Sequence, residues 1–87
     1  MAELGQNPQE VRDLAQLFDT KAGDLEGVIV AINGKLGGTS WTGPDRTRFE
    51  TSTWSTIQTN LNTIASTLRE AGTSARANAT EQESASA

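Results

Sequence analysis

One repeat limits what this chain can become. Val11, Ala15, Phe18, Ala22, Leu25, Ile29, Ile32 and Leu36 recur at alternating steps of four and three. That is a period of about 3.5 residues held over nearly four heptads, close enough to the α-helical 3.6 to line one face. A strand has period two and would scatter these side chains over both of its sides. Trp54, Ile57, Leu61, Ile64, Leu68, Ala71 and Ala75 repeat the spacing downstream. The pattern predicts two long helices and no sheet.

The ends of these helices are also written locally. In "NPQE" Asn7 can cap, Pro8 suits the first helical position, and Glu10 stands where a capping box needs it. "GG" at 37 and 38 stops the first helix. In "GGTSWTGPDR" Pro44 suits an early helical position, with Thr42 or Gly43 as the cap and Asp45 facing the positive helix end. The expected layout is therefore a flexible N-terminus over 1–6 and a helical hairpin over 7–79. Within the hairpin, helix one spans about 8–36, the turn 37–43 and helix two about 44–79. A small, polar tail over 80–87 should fray.

The fold class is all-α, an antiparallel two-helix hairpin. Two features argue that one hairpin is not the whole core. A two-helix layer has no inside. Helix one also carries Leu14, Leu17, Val28 and Ala31 beside its main seam, more apolar width than one neighbour needs. We expect this flank to dock a second hairpin, making a four-helix bundle. Gly23, Gly27, Gly34 and Gly72 each cost a helix interior about 1 kcal/mol relative to Ala. In this register the first three face solvent, so close packing does not account for them.

Trp41 is the anomaly. It sits in a turn of Gly, Ser, Thr and Pro, residues that bend a chain and do not call for an indole. Two readings stand side by side. Trp41 covers the open end of a bundle core, or it forms a hydrophobic staple on the next helical turn near Arg46 or Thr47.

Composition narrows the chemistry. The 87 residues include no Cys, no His and no Tyr. Disulfides and thiolate metal sites are excluded, and the commonest general base is missing. Net charge is −4 with only seven basic residues, scattered along the chain. Nucleic acid and anionic membrane surfaces are therefore poor partners. No apolar run approaches a membrane span, and "MAELGQNPQE" has neither the basic nor the apolar region of a signal peptide. Asp19, Asp24 and Glu26 lack the spacing of a calcium loop and read as a solvated face. Arg46 and Arg48 read as weak surface partners of Asp45 and Glu50. We expect no enzyme, no cofactor, no metal and no stable membrane insertion.

The segment "SWTGPDRTRF" with Trp54 following, on the turn of a short Cys-free hairpin, resembles the WXG family of small proteins exported by type VII secretion systems. Trp41 and Gly43 match the family's turn motif. The resemblance covers nearly the whole chain. It implies a dimerising hairpin that is made in the cytoplasm and exported folded, without a cleavable signal peptide, by an ATPase-driven complex. The implied role is substrate or co-exported escort in a virulence-associated family. Expected partners are the secretion ATPase and another hairpin of the same type, as homodimer or heterodimer. Leu14, Leu17, Phe18, Val28, Trp41 and Trp54 are the candidate partner-binding residues. One departure matters. The family's export signal is a Tyr followed four positions later by an acid; by its usual distance from a stretch like "LREAG" it would fall on Ala75 and Ala79. The chain thus resembles a subunit whose partner bears the Tyr. The competing reading is an intracellular structural or adaptor bundle unrelated to secretion.

Overall fold

The computed structural model describes residues 7–86. The segment expected to be flexible at 1–6, and position 87, lie outside the described residues. Helix α1 spans Pro8–Gly37. A short turn leads to α2, Pro44–Arg48, which passes through a π-helical stretch, Phe49–Trp54, into α3, Ser55–Ser86. Phe49 and Ser55, at the two joins, keep right-handed helical dihedrals, so these three pieces form one continuous arm. That arm folds back along α1 as a hairpin.

The N-terminus of α1 is capped as its sequence suggests. The Asn7 side chain accepts the Glu10 amide N–H at 3.1 Å and Pro8 opens the helix. At the far end the Gly38 N–H bonds to the Gly34 carbonyl, and the Thr39 hydroxyl donates to the Lys35 carbonyl at 2.6 Å. Three of the carbonyls that a helix end leaves unpaired are thereby used, the Leu36 carbonyl accepting from the Thr39 N–H.

The hairpin is long and thin, 64 × 19 × 15 Å, with a radius of gyration of 19.4 Å. A compact domain of this length would have a radius near 12 Å. Its core is a single seam. The buried side chains are Ala15, Ala22 and Ile29 on α1, with Trp54, Ala65 and Ala79 on the returning arm, and Gly72 is buried with them. Small residues dominate because the two helices lie close together. A Cβ on Gly72 would stand 3.1 Å from the Ala15 carbonyl oxygen, so the helices approach closely at this glycine. The α1 glycines at 23, 27 and 34 have open space around them.

This seam corrects the expected phase of helix two. Ile57 and Ile64, read from sequence as seam positions, are exposed, and Ala71 is only half-buried. The inner line runs one residue later, through Gln58, Ala65, Gly72 and Ala79. Size guided the expectation, but close helix approach selected the small side chains and turned the isoleucines outward. The second correction lies at the C-terminus. Helix α3 continues to Ser86 through most of the stretch expected to fray, anchored there by an ion pair between Glu83 and Arg12.

Candidate partner-binding face and the turn beside it

One side of the seam is polar and bolted across. Arg12, Asp19, Glu26 and Asn33 stand seven residues apart on α1, in one row beside the buried line. Both terminal nitrogens of the Arg12 guanidinium donate to the Glu83 carboxylate. Arg76 donates to Asp19 at 2.6 Å, and Arg69 forks onto Glu26 with two bonds of 2.7 Å. Asn33 completes the row: its amide N–H donates to Gln58 at 3.3 Å, and its oxygen accepts the Trp54 indole N–H at 2.7 Å.

Each pair is partly exposed, so solvent screening leaves it a small contribution to stability. Their larger effect is on register. Sliding α3 by one heptad in one direction sets Arg12 against Arg76; sliding it the other way sets Asp19 against Glu83. Only the observed register satisfies all three pairs. The charges answer to this contact. The hydrogen bond from Arg69 holds Glu26 below the ordinary carboxylate value, and that from Arg12 does the same for Glu83, while both arginines are raised in return. Asp19 and Glu26, read from sequence as a solvated face, are cross-helix partners.

The opposite side of the seam is apolar and uncovered. Phe18 and Leu25 flank the buried line there and are half-buried. Beyond them Leu14, Leu17 and Val28 on α1, with Ile57 and Ile64 on α3, are between 41% and 50% exposed. Ile32 is exposed on the same side. A helix pair with one polar, cross-linked face and one apolar, open face is amphipathic as a unit.

The turn closes one end of that face. Gly43 has φ 112° and ψ −176°, a region that only glycine occupies without strain. Its carbonyl accepts the Thr47 N–H at 3.2 Å, starting α2. Arg46 then locks the loop. Its guanidinium donates to the carbonyls of Leu36 at 3.0 Å, Thr39 at 3.1 Å and Trp41 at 2.9 Å, while its Nε donates to Glu50 at 2.9 Å. Arg46 and Arg48 do pair with Glu50 and Asp45 as expected from sequence, but Arg46 goes further and holds three backbone carbonyls. The Trp41 ring packs on Phe49 with centroids 5.3 Å apart and planes tilted by 48°. This is a staple within the chain, on Phe49 rather than on Arg46 or Thr47. Trp41 and Phe49 also wall an apolar hollow of about 360 Å³ with Ala31, Ile32, Lys35, Leu36 and Thr39.

The candidate residues therefore divide. Leu14, Leu17, Val28 and the edge of Phe18 share the open apolar face, and Trp41 stands at its turn end. Trp54 does not join them. It ends the π-helical stretch, is 3% exposed, and lies inside the seam bonded to Asn33. Ala75 is half-buried and Ala79 fully buried in the same seam, so neither position presents a side chain outward. Sequence reasoning missed the polar row and the Arg46 clamp. The signal for the row was present: complementary charges at heptad spacing on both helices. Nothing in the local sequence signals the clamp, whose acceptors are backbone carbonyls.

Among the described residues no helix is long and apolar enough to cross a membrane. Compared with protein-family models, with curated proteins and with solved structures, the chain matches none.

Proposed function

We propose that this chain is a non-enzymatic, WXG-type binding protein that pairs through its apolar face with another hairpin into a four-helix bundle, and that it travels through a type VII secretion system as substrate or co-exported escort. The observation that carries the reading is the split of one thin hairpin into a bolted polar face and an open apolar one. A second hairpin laid on that face supplies the inside that two helices lack.

The turn supports the secretion part of the proposal by resemblance. Gly43 is required by its backbone angles, and Trp41 borders a hollow at the end of the apolar face. These two residues match the family motif and do distinct physical work. With no Tyr in the chain, the export signal belongs to a partner or takes another form. No cofactor, nucleic acid or metal enters this mechanism; binding is the activity. The protein is made in the cytoplasm and acts outside it.

The test is export. The protein should accumulate in culture supernatant when the secretion ATPase is intact and stay in the cell pellet when the ATPase is deleted. Equal supernatant levels in both strains would refute the secretion reading, and retention in the cell pellet of both would leave an intracellular adaptor bundle.

A further inference from the structure

We infer that the π-helical stretch Phe49–Trp54 is a one-residue register adjuster, which lets the turn clamp and the interhelical seam hold on one arm at the same time. A residue can therefore be removed from this stretch without breaking the hairpin, while the same cut further along α3 breaks it.

Two sets of contacts act on this arm. Before the stretch, Arg46 donates to the Leu36 carbonyl at the end of α1, and Phe49 packs on Trp41. At its end and beyond it, Trp54 and Gln58 both bond to Asn33, less than one turn back along α1 from Leu36. Arg46 and Gln58 must therefore both face α1. A regular α-helix turns by about 100° per residue, so the twelve residues from 46 to 58 would leave these two about 120° apart. Eleven residues would leave them about 20° apart, on a common face. Between clamp and seam the chain holds one residue more than a regular helix can place.

The backbone takes up the excess. The Ser55 N–H reaches back five residues to the Glu50 carbonyl, the wide spacing of a π-helix. Burial follows the same change of pitch. Arg46, Glu50, Trp54 and Gln58 are shielded at steps of four, and after Gln58 the inner line settles into the sevens of Ala65, Gly72 and Ala79. Thr51, Ser52 and Thr53, inside the stretch, are all exposed.

The adjustment also reaches the open apolar face. Phe49 and Ile57 are eight residues apart, about 80° on a regular helix; with one residue absorbed they stand about 20° apart. Phe49 thus prolongs the outward row of Ile57 and Ile64 as far as the turn, where it walls the hollow with Ile32. Were the stretch regular at its present length, either Phe49 would leave Trp41 or Trp54 would leave Asn33.

The test is a pair of single-residue deletions, Thr53 inside the stretch and Ser66 on regular α3, both exposed positions. Removing Thr53 should leave a regular α-helix with the contacts on both sides in place. Circular dichroism should show unchanged helicity, and the urea midpoint should stay within about 0.3 M of wild type at one fixed protein concentration. Removing Ser66 turns everything beyond it by about 100°, so Ala65 and Gly72 cannot both be buried against α1. Its midpoint should drop by more than about 1 M, or its cooperative transition should vanish. Arg46→Ala and Trp54→Ala, each added to the chain lacking Thr53, should lower the midpoint as much as they do in the full-length chain. A Thr53 deletion that unfolds, or whose midpoint falls further than stated, overturns the adjuster. A tolerated Ser66 deletion overturns it as well, since the arm would then have no fixed register to adjust. So do smaller losses from Arg46→Ala or Trp54→Ala in the shortened chain, because the cut would then have been absorbed by a loosened turn or seam.

Discussion

Arg46→Ala should unlock the turn. One guanidinium donates to three backbone carbonyls that belong to the last turn of α1 and the loop after it, and its side chain is 22% exposed. A hydrogen bond from a charged donor contributes more than a neutral one, but partial exposure returns some of that to water. About 1 kcal/mol per carbonyl is a fair central value, giving about 3 kcal/mol in all. The Glu50 pair, at i,i+4 on the helix, adds a few tenths. For a chain of this size that corresponds to a drop in Tm of about 10–20 °C. Arg46→Lys keeps the charge but has no planar fork, so it should reach one or two of the carbonyls and recover about half the loss. The assay is urea and thermal denaturation followed by circular dichroism, at one fixed protein concentration because self-association adds stability. If both variants lie within about 0.5 kcal/mol of wild type, the clamp is ornamental and the loop is held by Gly43 and the Trp41–Phe49 contact.

Gly43→Ala should destabilise by about 1–3 kcal/mol, and Gly43→Ser equally, because nothing lies within 4 Å of the added Cβ and the whole cost is backbone strain at φ 112°; denaturation midpoints for the pair check this, and unequal losses would implicate a contact instead. Trp54→Phe should cost about 1–2 kcal/mol by removing the indole N–H that Asn33 accepts, and Trp54→Ala about 3–5 kcal/mol by emptying part of the seam; both are read as shifts in urea midpoint. Acid should weaken the hairpin: Glu26 and Glu83 have folded-state values below their unfolded ones, so their contribution is complete above the ordinary carboxylate range and is lost as pH falls through the lowered values. Stability measured across the acid limb should fall less steeply in Arg12→Gln/Arg69→Gln than in wild type.

The hairpin itself was legible because its signals are local or periodic. Asn7 and Pro8 announce the first helix start, and the Asn7 side chain does bond the Glu10 amide. Pro44 announces the second, with Gly43 before it. The heptad line through Ala15, Ala22 and Ile29 is the line that is buried. What failed was phase. On helix two a hydrophobicity pattern prefers Ile57 and Ile64 to Ala65 and Gly72, yet packing density at close approach reverses that order, and no single-helix pattern contains the neighbour's shape. Trp54 heads the helix-two repeat read from sequence and is indeed buried in the seam; what the sequence did not show is that this burial takes it away from the partner-binding face and bonds it to Asn33. The Arg46 clamp depends on where three carbonyls end up after the turn is formed, which is tertiary information. The flank of Leu14, Leu17 and Val28 could be read directly, since those residues exceed what one seam needs and they are indeed exposed.

The central claim is that a second hairpin covers the apolar face. Its most direct test is the absolute mass of the purified chain in solution, by light scattering after gel filtration, with circular dichroism on the same fractions and Leu14→Asp/Val28→Asp measured beside it. The account predicts a helical species of twice the 9.2 kDa chain mass, which the double variant reduces to a single chain of lower helicity. A fully helical wild-type species of 9.2 kDa that unfolds cooperatively by itself would contradict it, because the open face would then need no cover.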